Sequence, residues 1–124
     1  MYAHRASSER RQEPRYKSCE GAFAVLQGQA PKLGRLVDLS RRGLAFQYVG
    51  GKECLQATNI LDIFLVGSAF QLKRVPARTQ SDIQLDPSCA DAAMRRCSVE
   101  FIGLAPDQSA ALEELIRHHT CGEL

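Results

Sequence analysis

The chain has 124 residues, which is enough for a single domain with a hydrophobic core of its own. Its content of 44% hydrophobic and 24% charged residues excludes a disordered or fibrous protein. The net charge is only +2, but residues 1–42 hold nine Lys and Arg against four Asp and Glu, which indicates either a solvated basic tail or an anion-binding surface in the N-terminal third.

Residues 1–18 are polar and charged and predict a flexible basic arm, followed by a folded domain over residues 19–120. Three arginines of the arm, Arg10, Arg11 and Arg15, fall within six positions. An arginine side chain is a planar fork that binds phosphate oxygens in pairs and stacks on flat rings. The arm lacks the apolar segment of a secretory signal, and no apolar stretch approaches the about 20 residues of a membrane span. A cytoplasmic protein is therefore expected.

Downstream of the arm, apolar residues recur in short runs that are typical of strands. The runs cover residues 22–26, 33–39, 44–48, 60–66, 70–78 and 97–101, and Gly67-Ser68 indicates the turn of a hairpin. Because no helical pattern separates the runs, the strands are expected to pair antiparallel and to close into a barrel without open edges. A helical period of apolar residues then predicts one amphipathic helix at about 106–119. The expected fold is all-β with a C-terminal helix: a six-stranded antiparallel barrel capped by one α-helix.

The cysteines and histidines do not favour a metal site or an enzyme. The five cysteines are odd in number and none are spaced as CxxC, which favours reduced thiols. His118, His119 and Cys121 resemble half of a zinc site, but the sequence has no matching half. Motifs of phosphate-binding loops, metalloproteases and serine hydrolases are missing from the sequence. We therefore expect a protein that is not an enzyme and that holds no metal or cofactor.

A second polar cluster, Asp38-Leu39-Ser40-Arg41-Arg42-Gly43, lies at the turn between two predicted strands. Strand alternation places Asp38 and Ser40 on one face, and Gly43 is expected to adopt a positive φ. A carboxylate only accepts hydrogen bonds, so Asp38 could bind the N–H groups of a guanine edge while the arginines of the arm bind phosphates. The same residues would also make a stable turn without any ligand.

The two clusters resemble the paired motifs of the PilZ domains. Arg11-x-x-x-Arg15 is similar to their RxxxR motif and Asp38-x-Ser40-x-x-Gly43 to their (D/N)xSxxG motif, and the likeness extends from about residue 9 to residue 118. The resemblance implies a six-stranded antiparallel barrel of Greek-key character with a C-terminal helix. It also implies binding of the bacterial second messenger cyclic di-GMP. In that case Arg11 and Arg15 would hold phosphates and guanine, and the second motif would form a shelf on the barrel.

In this family, an arginine directly before RxxxR accompanies two intercalated cyclic di-GMP molecules in one site, and Arg10 occupies that position here. Two such ligands carry four phosphate charges, and Arg41 and Arg42 could supply further cations. One departure from the family is Ala105, where many relatives carry a Ser or Thr helix cap. We expect the arm to be mobile without ligand, to dock across the barrel when cyclic di-GMP binds, and so to relay the signal to an unidentified protein effector.

Two other functions stay open at this point. A small barrel could bind single-stranded RNA or DNA, although Trp is absent and the aromatic residues mostly fall in predicted strands, where burial explains them. The domain could instead be a PilZ-like adaptor that binds a protein and no nucleotide. The complete set of motif residues favours the nucleotide-binding function; they are Arg11, Arg15, Asp38, Ser40 and Gly43.

Overall fold

The computed structural model describes residues 13–28, 31–50, 58–85 and 93–124, which form eight strands and one helix. The strands are β1 (Tyr16–Ser18), β2 (Ala22–Leu26), β3 (Lys32–Leu39), β4 (Gly43–Gly50), β5 (Thr58–Leu65), β6 (Gln71–Gln84), β7 (Ala93–Phe101) and β8 (Thr120–Glu123), and the helix is α1 (Pro106–His118).

Six of these strands form a closed antiparallel barrel, as predicted. Their order around the ring is β2-β5-β6-β7-β4-β3, and pairing between β2 and β3 closes it. Short connections such as residues 40–43 can join only antiparallel neighbours, because a parallel return needs a long crossover. The ring combines two meanders, β2-β3-β4 and β5-β6-β7, and the second contains the hairpin predicted around Gly67.

The barrel interior is filled by the inward residues of the alternating strands. On β4, Leu44 and Phe46 are fully buried, and they lie opposite Val99 and Cys97 of β7. Each such side chain stabilises the fold by about 1.5–3 kcal/mol through its removal from water. The helix adds three apolar residues to the same core, as its period predicted: Leu112, Leu115 and Ile116.

The helix α1 begins without a hydroxyl cap at Ala105, and the side chain of Gln108 compensates for the missing cap. Its Oε1 accepts a hydrogen bond from the Ala105 backbone N–H over 2.9 Å. Its Nε2 donates to the carbonyl oxygens of Lys73 and Arg74 on β6, over 2.8 and 2.9 Å. Gln108 thereby fastens the start of the helix to the barrel wall.

Within the described residues, no helix has the length and apolar character needed to cross a membrane.

Two short strands, β1 and β8, lie outside the barrel and add to the six that the sequence predicts. On one side of β3, β2 pairs only with the stretch from Lys32 to Arg35, which leaves the end of that edge available. β1 pairs there with Asp38 and Leu39, and β8 pairs with β1. An unpaired strand edge attracts further strands because its N–H and C=O groups need partners. The last three residues of the predicted arm, Tyr16–Ser18, are therefore a strand.

Candidate functional site

The candidate site is built around the turn between β3 and β4, residues 40–43. The backbone N–H of Ser40 donates to the carbonyl oxygen of Gly43 over 2.8 Å. The Ser40 Oγ accepts a hydrogen bond from the backbone N–H of Arg42 over 3.1 Å. These bonds close the hairpin and hold the buried Ser40 at the edge of a cleft. Ser40 therefore shapes the turn, as its residue type predicts.

Gly43 is required by the close approach of two strands. It lies opposite Glu100 of β7, and a Cβ at this position would stand 2.1 Å from the carbonyl oxygen of Val99. Packed atoms do not approach so closely, so any side chain would push β4 away from β7. The expected positive φ at Gly43 is wrong, because the positive-φ residues of the described chain lie elsewhere. Glycine is needed here for its missing side chain rather than for its backbone freedom.

Asp38 carries the negative charge at the centre of the site. Its side chain is only 3% exposed, and both of its oxygens accept hydrogen bonds from arginines. Arg15 donates from Nε and Nη2 to Oδ1 over 3.0 and 2.6 Å, and Arg96 donates from Nη2 to Oδ2 over 2.9 Å. A buried carboxylate is strongly unfavourable unless it is paired in this way. The two arginines thus compensate the charge of Asp38. Their hydrogen bonds join β3, β7 and the residue before β1 at one point.

Arg96 is a residue of this cluster that the sequence analysis missed. It lies on β7, 58 positions from Asp38 in the sequence. Because Cys97 and Val99 face the core, the alternation of the strand directs Arg96 outward, along with Ser98. This pattern could have identified an outward arginine. It could not have shown that β7 pairs with β4 and so brings Arg96 to Asp38.

The arginines and the 40–43 turn border an open cleft with a volume of about 580 Å³. This volume is within the range of small-molecule sites, about 300–1,000 Å³. Three arginines face the cleft against two glutamates, which gives its lining a positive balance. The lining residues are Glu13, Arg15, Ser40, Arg42, Gly43, Gln80, Ser81, Arg96, Ser98, Val99 and Glu100.

Five of the predicted site residues meet at this cleft. Four of them line it and the fifth is bonded to one of the four; they are Arg15, Ser40, Arg42, Gly43 and Asp38. Arg10 and Arg11 lie outside the described residues, so their role in binding stays a prediction.

Arg41 is engaged elsewhere and does not line the cleft, contrary to the expectation that it supplies a further cation there. Its guanidinium pairs with Glu113 of α1, with Nη2 donating to Oε1 over 3.1 Å. This ion pair lowers the pKa of the Glu113 carboxyl and raises the pKa of Arg41. Arg41 therefore joins the hairpin to the helix, while its neighbour Arg42 lines the cleft.

A second charged cluster involves Asp82 of β6. The Tyr48 hydroxyl donates to both Asp82 carboxylate oxygens, over 2.9 and 2.8 Å. Arg95 donates from Nε to Oδ1 and from Nη2 to the Asp82 carbonyl oxygen, each over 3.1 Å. Burial raises the pKa of Tyr48, and the neighbouring Asp82 carboxylate raises it further. None of these three residues lines the cleft.

Comparison with known proteins identifies solved structures of similar fold but no close relative in sequence. No protein-family model matches the chain, and a search of curated proteins finds no match. The PilZ domain of YcgR from Escherichia coli, solved with c-di-GMP, superposes with a TM-score of 0.66 at 19% identity, over 87% of this chain and 89% of that one.

Two further structures are similar over part of their length. The MrkH–c-di-GMP complex of K. pneumonia has a TM-score of 0.65 at 13% identity and matches 86% of this chain and 51% of MrkH. PlzA of Borreliella burgdorferi in complex with c-di-GMP has a TM-score of 0.54 at 11% identity and matches 89% of this chain and 51% of PlzA. The chain thus spans about half the length of MrkH and PlzA, and it is a PilZ-like domain in its fold.

Proposed function

We propose that this chain is a receptor for cyclic di-GMP, not an enzyme, and that the ligand binds in the cleft beside the 40–43 turn. The observation that carries the proposal is the ion-pair cluster of Arg15, Asp38 and Arg96 at an open cleft. Arg15 belongs to the first motif and Asp38 to the second, so their ion pair brings the two motifs together in the folded chain. The c-di-GMP complexes of YcgR, MrkH and PlzA, which share this fold, support the choice of ligand.

The cluster offers this ligand two kinds of partner. The side chains of Arg15 and Arg96 are 32% and 37% exposed, so they can leave Asp38 without disturbing the core. Phosphate oxygens then replace the carboxylate as acceptors for the guanidinium groups. Asp38, once released, accepts hydrogen bonds from the ring N–H and amino group of guanine. Adenine does not present this pair of donors, so the exchange favours a guanine dinucleotide.

The exchange also keeps Asp38 satisfied in both states. Without ligand its oxygens accept from Arg15 and Arg96, and with ligand they accept from guanine. A buried carboxylate left without donors would be destabilised by several kcal/mol, roughly the full desolvation penalty of a charged group. The arginines therefore supply the hydrogen bonds that the carboxylate needs until guanine supplies them instead.

We further propose that the site takes two intercalated cyclic di-GMP molecules. Two molecules bring four phosphate charges, and the described cleft holds three arginines and two glutamates. Arg10 and Arg11 stand five and four positions before Arg15 in the chain. At about 3.3–3.6 Å per extended residue, they can reach across the cleft when the arm folds over it.

Ligand binding would reorganise the N-terminal segment, and this change would transmit the signal to a protein effector. Arg15 directly precedes β1, which has only three residues and pairs with β3 through Tyr16 and Lys17. Movement of Arg15 therefore acts on a short peripheral strand rather than on the closed barrel. Residues 1–18 would present a different surface in the bound state, and an effector in the bacterial cytoplasm would recognise it.

Titration calorimetry of the full chain with cyclic di-GMP tests the proposal. We expect saturable binding with a molar ratio near two, and weaker binding of cyclic di-AMP. A ratio of one would retain the receptor function and remove the two-ligand arrangement. No binding heat and no change in Tm would contradict the receptor function and favour a protein adaptor. Tight, strongly salt-dependent binding of single-stranded oligonucleotides instead would favour a nucleic-acid-binding barrel.

A further inference from the structure

Two cysteines that are far apart in the sequence meet at the peripheral strands. Cys19 directly follows β1 and Cys121 lies in β8, 102 positions later. Their Sγ atoms stand 2.6 Å apart, in contact but about 0.5 Å beyond the about 2.05 Å of a disulfide bond. The pairing of β1 with β8, with Ser18 opposite Thr120, places the two side chains together.

The pair is accessible to small molecules, unlike the cysteine in the barrel core. Cys121 is exposed and Cys19 is half-buried, whereas Cys97 is fully buried. Burial raises the pKa of the Cys97 thiol to about 12, which keeps it protonated and unreactive near neutral pH. Among the described residues, no group of three His, Cys, Asp or Glu side chains could hold a metal ion.

We propose that Cys19 and Cys121 are a modification site that forms a reversible disulfide by exchange with a low-molecular-weight disulfide. The thiolate of Cys121, the more exposed residue, attacks one sulfur of the oxidant, and one small thiolate leaves and takes up a proton. The thiolate of Cys19 then attacks the Cys121 sulfur of the mixed disulfide, the Cys19–Cys121 bond forms, and the second small thiol leaves. The two protein thiols lose two electrons and two protons, and the oxidant gains them.

The bond would lock the edge of the molecule that carries Arg15. The backbone N–H of Leu124 already donates to the carbonyl oxygen of Arg15 over 2.8 Å, so a hydrogen bond joins the residue after β8 to the residue before β1. A covalent link would prevent β8 from separating from β1. Because the link closes a loop of about a hundred residues, it also restricts the unfolded chain. We expect oxidation to raise the Tm by about 10 °C.

The reaction should be faster in mildly alkaline solution. In the reduced pair the pKa of Cys19 is raised, chiefly by its hydrogen bond with Cys121 and then by burial, so Cys19 stays protonated at neutral pH while Cys121 makes the first attack. Raising the pH from about 7 to about 9 should increase the rate of disulfide formation about 20-fold, because the thiolate fraction of an ordinary thiol rises by about that factor.

Peptide mapping tests the site because each cysteine falls on its own tryptic peptide. Trypsin releases residues 18–32 with Cys19 and residues 118–124 with Cys121. The reduced full chain is incubated with oxidised glutathione at about pH 8, alkylated and digested without reductant. We expect a linked peptide of 18–32 with 118–124, its loss on reduction, and a higher Tm of the monomeric oxidised protein.

Matched variants separate the proposal from other thiol chemistry. Cys121→Ser should abolish both the linked peptide and the rise in Tm, whereas Cys54→Ser and Cys89→Ser should retain them. A stable glutathione adduct on Cys121 without the linked peptide would overturn the proposal. So would links through Cys54 or Cys89, or a link between two copies of the chain, seen as a dimer on a non-reducing gel. None of these measurements uses cyclic di-GMP, so they test the thiol pair independently of the receptor function.

Discussion

Two aspartates of the barrel are each held by one of two consecutive arginines on β7. Asp38 bonds to Arg96 and also to Arg15, while Asp82 bonds to Arg95. Because neighbouring residues of a strand point to opposite faces, the two β7 arginines serve different surroundings. Arg96 faces the open cleft, and Arg95 belongs to a network that does not line it.

The clusters differ in how easily their partners can be exchanged. The side chains of Arg15 and Arg96 are 32% and 37% exposed, whereas the side chain of Arg95 is 15% exposed. The Asp82 carboxylate is further closed by the hydroxyl of Tyr48, which is itself almost fully buried. Removing that hydroxyl from its acceptor would leave a buried polar group unsatisfied. The same ion-pair chemistry thus suits the proposed binding site where the arginines are more exposed, and braces the structure where the arginine is more buried.

The largest expected effect is the loss of ligand affinity when Arg15 is removed. Arg15→Ala should weaken cyclic di-GMP binding about 30- to 150-fold, or about 2–3 kcal/mol, because a charge-assisted hydrogen bond to phosphate is lost. Calorimetry measures the change in Kd, and a thermal melt checks that the barrel is still folded. An unchanged Kd would show that Arg15 does not contact the ligand. The contrast between a binding cluster at Asp38 and a structural cluster at Asp82 would then fail.

A second prediction concerns selectivity at the two aspartates. Asp38→Ala should lower the affinity for cyclic di-GMP about tenfold, since the guanine edge loses its acceptor. The affinity for cyclic di-AMP should change little, because its phosphates still meet Arg15 and Arg96. The control Asp82→Ala should leave both affinities unchanged and lower the Tm. If Asp38→Ala weakened both dinucleotides equally in competition titrations, Asp38 would not be the group that contacts guanine.

Substitution of the consecutive arginines sharpens the comparison within one strand. Arg96→Ala should raise the Kd for cyclic di-GMP about tenfold with a small change in Tm. Arg95→Ala should lower the Tm by about 4 °C with no change in Kd, because it weakens the support of Asp82 and Tyr48. Calorimetry and thermal melts on both variants give the two readouts. The reverse assignment, with Arg95 governing affinity, would show that the cleft is not where the ligand binds.

The smallest expected effect is on stability in alkaline solution. Burial and then Asp82 raise the pKa of Tyr48 above its ordinary value of 10.0, so the folded state favours the neutral phenol. This contribution is complete below the ordinary pKa and is lost as the pH rises above it. The Tm of the unmodified chain should therefore fall more steeply than that of Tyr48→Phe between about pH 10 and pH 11. Parallel Tm profiles for the two proteins would contradict the closed network at Asp82.

The architecture could be predicted because its causes are local. A period of two places Leu44 and Phe46 inside while Gln47 between Phe46 and Tyr48 stays more exposed, and this pattern is visible in any short window. The helical period of Leu112, Leu115 and Ile116 is equally local. The strands β1 and β8 were missed because they are three and four residues long and depend on the edge of a neighbouring strand, β3 for β1 and β1 for β8, rather than on their own pattern.

The turn of the site was predictable for the same reason, although its glycine was explained wrongly. Ser40 and Gly43 are three positions apart, and their bonds to each other follow from residue type and spacing. The need for glycine comes instead from Val99 of β7, whose carbonyl oxygen leaves no space for a Cβ. That contact depends on which strand lies beside β4.

By itself the sequence determined the strand pattern, the closing helix and the two motifs, since each is encoded by neighbouring residues. Only the tertiary structure decided that Arg96 rather than Arg95 reaches Asp38, and that Cys19 meets Cys121. The physical reason is register: a slip of one residue between two strands reverses the face of every side chain, and register is fixed by the packing of the whole barrel.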